Sequence, residues 1–211
     1  MLYLHVFEWP RDGRLVVGGL RSNVKKAYLL ASAKAAPLKV RRLNPLDVQI
    51  DVPATAPDRV DSVVVIEGDG DITTEPVRLL STTASANTLR SLDGQLSGRL
   101  SFGPGKRTDA YVQNWSRPED SVTWPVRLNE AAVFDVAVTY DGQAQSAGST
   151  FVVRIGTHEL SGKVQTGPGQ AVSLGRVSME PGIFSIQVIP KEIQGTELMR
   201  LRSLTLTPIR P

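Results

Sequence analysis

"LHVFEWPRDGRLVVGGL", Leu4–Leu20, reads as one β-strand, a turn and a second strand. The turn is marked by "PRDG", whose proline, aspartate and glycine each favour turn geometry. In the first strand Tyr3, His5, Phe7 and Trp9 alternate with Leu2, Leu4 and Val6, so both of its faces are apolar. One face can pack inside a local sandwich. The other needs a cover, because an exposed row of large rings marks an interface. Tyr3, Phe7 and Trp9 are therefore candidates for docking against a neighbouring domain. The alternative is a central strand with both faces covered internally.

The same period of two runs outward from this stretch. "LDVQIDV" (Leu46–Val52) puts Val48, Ile50 and Val52 on one face and Gln49 and Asp51 on the other, as in a half-buried antiparallel strand. "SVVVIEG" (Ser62–Gly68) is continuously apolar, as a central strand is. "PATAPD" between them is a loop, by its two prolines. With further strands near 2–8, 13–18, 24–31 and 38–43, residues 1–80 are expected to form a small β-sandwich. Residues 81–90, beginning with the small, polar "STTASAN", read as a linker. Strand patterns resume in "VTWPVRL" (Val122–Leu128), "FDVAVTY" (Phe134–Tyr140) and "FSIQV" (Phe184–Val188), so residues 91–211 are expected to form a second, jelly-roll-like sandwich. The fold class is all-β, with two tandem antiparallel sandwiches that share no repeat.

Composition narrows the chemistry. The 211 residues are 41% apolar, enough for real cores, and 24 Lys and Arg against 21 Asp and Glu leave a formal charge of +3. The tightest basic cluster, "LKVRRL" (Leu38–Leu43), alternates as a half-exposed strand does, and no nucleic-acid-binding fingerprint accompanies it. The absence of cysteine excludes disulfides, thiolate metal sites and a cysteine nucleophile. The first residues carry no secretory-signal pattern, and no apolar run approaches the ~20 residues that span a bilayer. Neither nucleic acid nor a membrane is an expected partner.

Catalytic patterns are missing. His5 and His158 stand without a metal-ligand or triad motif, and no G-x-S-x-G occurs. Glu119 and Asp120 are adjacent and point apart on any regular element, whereas glycosidases need two carboxyls facing each other. Glu67, Asp69 and Asp71 in "EGDGDI" match a calcium loop only loosely and read as an acidic turn. No catalytic residue, metal or cofactor is expected. Trp124, in register with Val122 and Val126, reads as core. "DAYVQNW" (Asp109–Trp115) offers the one binding row: Tyr111, Gln113 and Trp115 share a face opposite Ala110 and Val112. Exposed, that row is a sugar platform; turned inward, it is core, with Ala110, Val112 and Asn114 outside.

"YLHVFEWPRDGRLVVGGL", followed by "VKKAYLLA" and "DVPATAPDRVDSVVVIEGDG", resembles the C-terminal β-sandwich of glycoside hydrolase family 29 α-L-fucosidases, over Tyr3 to about Gly70. In the second half, "NWSRPEDSVTWPVRL", "AVFDVAVTYDG", "AGSTFVVRIG", "LSGKVQTG" and "ELMRLRSLTLTP" are similar to a galactose-binding-like sandwich of the carbohydrate-binding-module type. Where that pattern has an extra tryptophan, this chain has Ser121. The resemblance implies a non-catalytic accessory region. Its partners would be a catalytic (β/α)8-type barrel N-terminal to Tyr3 and fucosylated or galactosylated glycans, in a periplasmic or secreted setting. The family's carboxylate nucleophile sits on the barrel, so no catalytic residue is carried over. The alternatives are a stand-alone carbohydrate-binding protein and an enzyme, with the α-L-fucosidase activity of its parent or with a site supplied in trans by a separately encoded barrel.

Overall fold

The computed structural model describes residues 1–104 and 110–209. The fold is all-β and antiparallel throughout, with no α-helix among the described residues. The chain divides into two compact units, Met1–Leu79 and Leu80–Pro211.

The first unit is a sandwich of two three-stranded sheets. One has the order β1 (Leu2–Val6), β6 (Ser62–Gly68), β3 (Val24–Leu29); the other is β2 (Arg14–Val17), β5 (Asp47–Asp51), β4 (Lys39–Asn44). The opening strands β1 and β2 therefore do not pair with each other: the "WPRDG" turn carries the chain from one sheet to the other. β6 and β5 are central because their inward residues are the most apolar. Val64 and Ile66 meet Val48 and Ile50, all at most 1% exposed. The inward residues of the edge strands, Leu4, Val6, Leu15 and Val17, are only half-buried and border an open depression of about 440 Å³. In β4, Arg42 donates to the carbonyls of Leu20 and Ser22, and Arg41 pairs with Asp51, so the basic cluster is spent on the sandwich itself.

After β7 (Arg78–Leu79) the second unit begins. Its first sheet runs β10 (Ser101–Phe102), β11 (Val112–Gln113), β18 (Arg200–Pro208), β13 (Ala132–Gly142), β16 (Gly167–Met179), with β8 (Asn87–Arg90) also along β18. Its second runs β15 (His158–Lys163), β14 (Thr150–Ile155), β17 (Gly182–Glu192), β12 (Ser121–Leu128), with β9 (Gln95–Ser97) beside β12. Val122, Trp124, Val126 and Leu128 from one sheet face Phe134, Val136, Val138 and Tyr140 from the other, forming the core their alternation requires. Residues 87–90, assigned to the linker on composition, are strand instead. Leu89 is 1% exposed, and the Asn87 side chain donates to the carbonyls of Ser81 and Leu206.

Candidate functional site

The two aromatic rows proposed from the sequence take different forms. Along β1, five consecutive residues pair with β6, from Leu2 opposite Ile66 to Val6 opposite Ser62, and the period of two holds. Tyr3, His5 and Phe7 face outward, with Tyr3 52% and Phe7 71% exposed. The His5 and Phe7 rings stack at 6.4 Å, and His5 Nδ1 lies 2.8 Å from Asp61 Oδ2. Trp9 does not belong to this row. The strand ends at Val6, and the chain turns Trp9 back onto the unit's own core, where its indole N–H donates to the Pro53 carbonyl at 2.7 Å. Of the residues expected to dock, Tyr3 and Phe7 are exposed and Trp9 is half-buried.

The second row is broken. Tyr111 and Gln113 are half-buried, but Trp115 is fully buried and cannot stack on a sugar. Val112 is also fully buried, so two inward side chains stand three positions apart, which a regular strand cannot provide. Asn114 absorbs the odd residue by adopting φ +71°, a left-handed conformation that asparagine tolerates. The indole N–H of Trp115 then donates to the Val112 carbonyl at 3.1 Å, and the Trp115 carbonyl accepts the Leu198 N–H at 2.9 Å. Asp109 lies outside the described residues. The loop beyond Trp115 is fixed by Asp120, buried, whose carboxylate accepts the N–H groups of Ser116, Arg117 and Arg99 at 2.8–2.9 Å. Asp120 and its neighbour Glu119 thus serve different ends: Glu119 is exposed.

The neighbouring strand breaks period in the same place. Val112 pairs with Leu201, and in β18 Leu201 and Leu204 are both fully buried, again three apart. The extra residue sits in a β-bulge: Thr139 pairs with Ser203 and Tyr140 with Leu201, leaving Arg202 between them. Arg202 turns to Asp141 and forms a two-pronged pair at 2.9 and 2.7 Å. Asp141 also accepts the Gly169 N–H at 2.7 Å. Burial by itself would raise the Asp141 carboxyl. The Arg202 pair, the Gly169 N–H and the charges of Arg202 and Arg200 outweigh it and hold the group below its ordinary value.

Next to Asp141, Arg200 brings its guanidinium over the Tyr111 ring, 5.3 Å from the ring centre. That ring packs on bare Gly103, where a Cβ would stand 2.1 Å from Tyr111 Cε2, so any larger residue displaces it. Glu197 closes the group: it accepts the Asn114 N–H at 2.6 Å and the Gln143 amide at 3.2 Å, and lies 3.6 Å from Arg200 Nε. The Tyr111 ring thus packs against the Arg200 guanidinium, and the groups around it are polar. Of the residues gathered here, the sequence reading named Tyr111 and Gln113 as site residues and did not so name Arg200, Glu197, Asn114 or Gln143. The available signal was the three-residue spacing of Leu201 and Leu204 in "LRSL".

No protein-family model matches the chain, and no curated protein matches it in sequence. Solved structures do. Over 98% of its length the chain superposes on 37% of an α-L-fucosidase from Vibrio sp. strain EJY3, at 14% identity and a TM-score of 0.57. A share of 60% superposes on 28% of the GH26-CBM35 β-(1,4)-mannanase of Podospora anserina, at 18% identity and a TM-score of 0.51. A share of 88% superposes on 30% of the mosquito-larvicidal Cry4Aa toxin of Bacillus thuringiensis, at 11% identity and a TM-score of 0.54. The fold is therefore shared with two carbohydrate-active enzymes and a toxin. The chain spans between 28% and 37% of the length of those proteins.

Proposed function

We propose that this chain is a non-catalytic accessory region of an α-L-fucosidase-like glycoside hydrolase, whose second unit holds glycan and whose first unit docks on the catalytic barrel. The observation that carries this reading is the superposition of nearly the whole chain, both units included, on part of one fucosidase chain. Fold alone does not choose a function, since a toxin superposes as well. Two local features support the glycan reading. Tyr111, Gln113 and Arg200 lie together on the second unit, and carboxylates and amides are fixed around them. The exposed Tyr3 and Phe7 supply the docking face of the first unit.

The test is a glycan array probed with the purified chain, beside an aryl α-L-fucoside assay. The expected result is selective binding, weakened by Tyr111→Ala, with no turnover. Turnover above a protein-free blank overturns the non-catalytic reading. Absence of binding to every glycan overturns the glycan-binding one.

A further inference from the structure

Around Tyr111 the two carboxylates are occupied, and several N–H and O–H donors are not. Glu197 has one oxygen on the Asn114 N–H and the other on the Gln143 amide, and Asp141 is filled by Arg202 and Gly169. Among the described residues, the terminal nitrogens of Arg200, the side-chain amide of Gln113 and the hydroxyl of Tyr111 have no hydrogen-bond partner. Arg200 is nevertheless held in place. Its Nε is buried and faces Glu197 at 3.6 Å, its guanidinium lies over Tyr111, and the side chain remains 38% exposed. Because Val112 pairs with Leu201, Gln113 lies alongside Arg200.

A guanidinium fixed at its stem with its outer N–H groups unused is a fork for an oxyanion. Resting on the glycan-binding reading above, the geometry points to a site for a sugar that carries an oxyanion, a uronate carboxylate or a sulfate ester, seated against Arg200 with its neighbouring hydroxyls on Gln113 and Tyr111. A guest anion meets the outer N–H groups of Arg200 with Gln113 and Tyr111, while Asp141 is neutralised by Arg202 and Glu197 stands on the Nε side of the guanidinium. A neutral sugar uses the same donors through hydroxyl oxygens, which are weaker acceptors than an oxyanion. The preference is therefore for charge.

Calorimetry on the whole chain with three probes tests this: a tetragalacturonate, a sulfated galactose tetrasaccharide and a neutral galactotetraose. We expect the better of the two anionic probes to bind about tenfold or more tightly than the neutral one. That preference shrinks as salt rises from about 50 to about 500 mM. Arg200→Ala removes it, and Arg200→Lys, which keeps the charge without the fork, recovers only part. The better anionic probe identifies carboxylate or sulfate as the group read. Near-UV circular dichroism matching the wild type establishes that each variant is folded. Equal binding of neutral and anionic probes, or a preference that survives Arg200→Ala, overturns the inference and leaves the glycan-binding reading standing. Binding of no probe, together with an empty glycan array, overturns both.

Discussion

The segments around β1 and β11 both show alternating aromatic residues in sequence, and only the one at β1 keeps the alternation in space. β1 is zipped to β6 through five consecutive pairs, so each side chain's direction is dictated by the pleat. β11 is two residues long and meets β18 through a single pair, Val112 with Leu201. A strand so weakly held does not fix the direction of the residues that follow it. Burial of a large indole decides instead, and the backbone yields at Asn114. Alternation is thus a property of the ladder, and it persists only as far as the ladder does. Trp9 shows the same rule near the start of the chain, since it turns inward within three residues of the end of β1.

That contrast breaks most sharply at its two rings. Trp115→Ala empties a fully buried site and is expected to destabilise the second unit by about 3–5 kcal/mol in urea unfolding. Phe7→Ala, at 71% exposure, is expected to change the first unit by no more than about 0.5 kcal/mol. A large Phe7→Ala effect on stability would mean that the outer row of β1 is structural. The hinge residue gives a smaller effect: Asn114→Val forces a β-branched side chain into the left-handed region, at an expected cost of about 1–2 kcal/mol. Asn114→Gly relieves the strain and loses only the bond to Ser101 Oγ. Equal losses from both variants would refute the account of the broken row.

Smallest in size is the pH effect of Asp141, whose carboxyl is held below its ordinary value of 3.8. The folded chain releases this proton more readily than the unfolded one. Its contribution is therefore complete above pH 3.8 and is lost as pH falls through the lowered folded value. Asp141→Asn removes that contribution, so wild type and variant should differ at neutral pH and converge in acid. A gap that widens on acidification contradicts the Arg202 pairing.

Much of the fold was legible because long ladders were legible. β5, β6, β12 and β13 all appear in the sequence as alternating or continuous apolar runs, and Trp124 reads as core from its register with Val122 and Val126. What was not legible depends on contacts distant in the chain. That β1 and β2 join different sheets is decided by β6 and β5, more than 30 residues downstream of β2. Asn87–Arg90 lacks a strand's pattern and becomes one because β18 offers an edge over 110 residues away. Of the candidate site, Tyr111 and Gln113 stand two apart in sequence, while Arg200 reaches them only through the pairing of β11 with β18.

The bulge at Arg202 separates two duties that strands usually combine. Leu201 and Leu204 anchor β18 in the core whatever stands at 200, 202 and 203, since those side chains point away from it. The outer face of β18 can therefore change without redrawing the interior. An insertion or deletion of one residue here would turn the whole strand inside out.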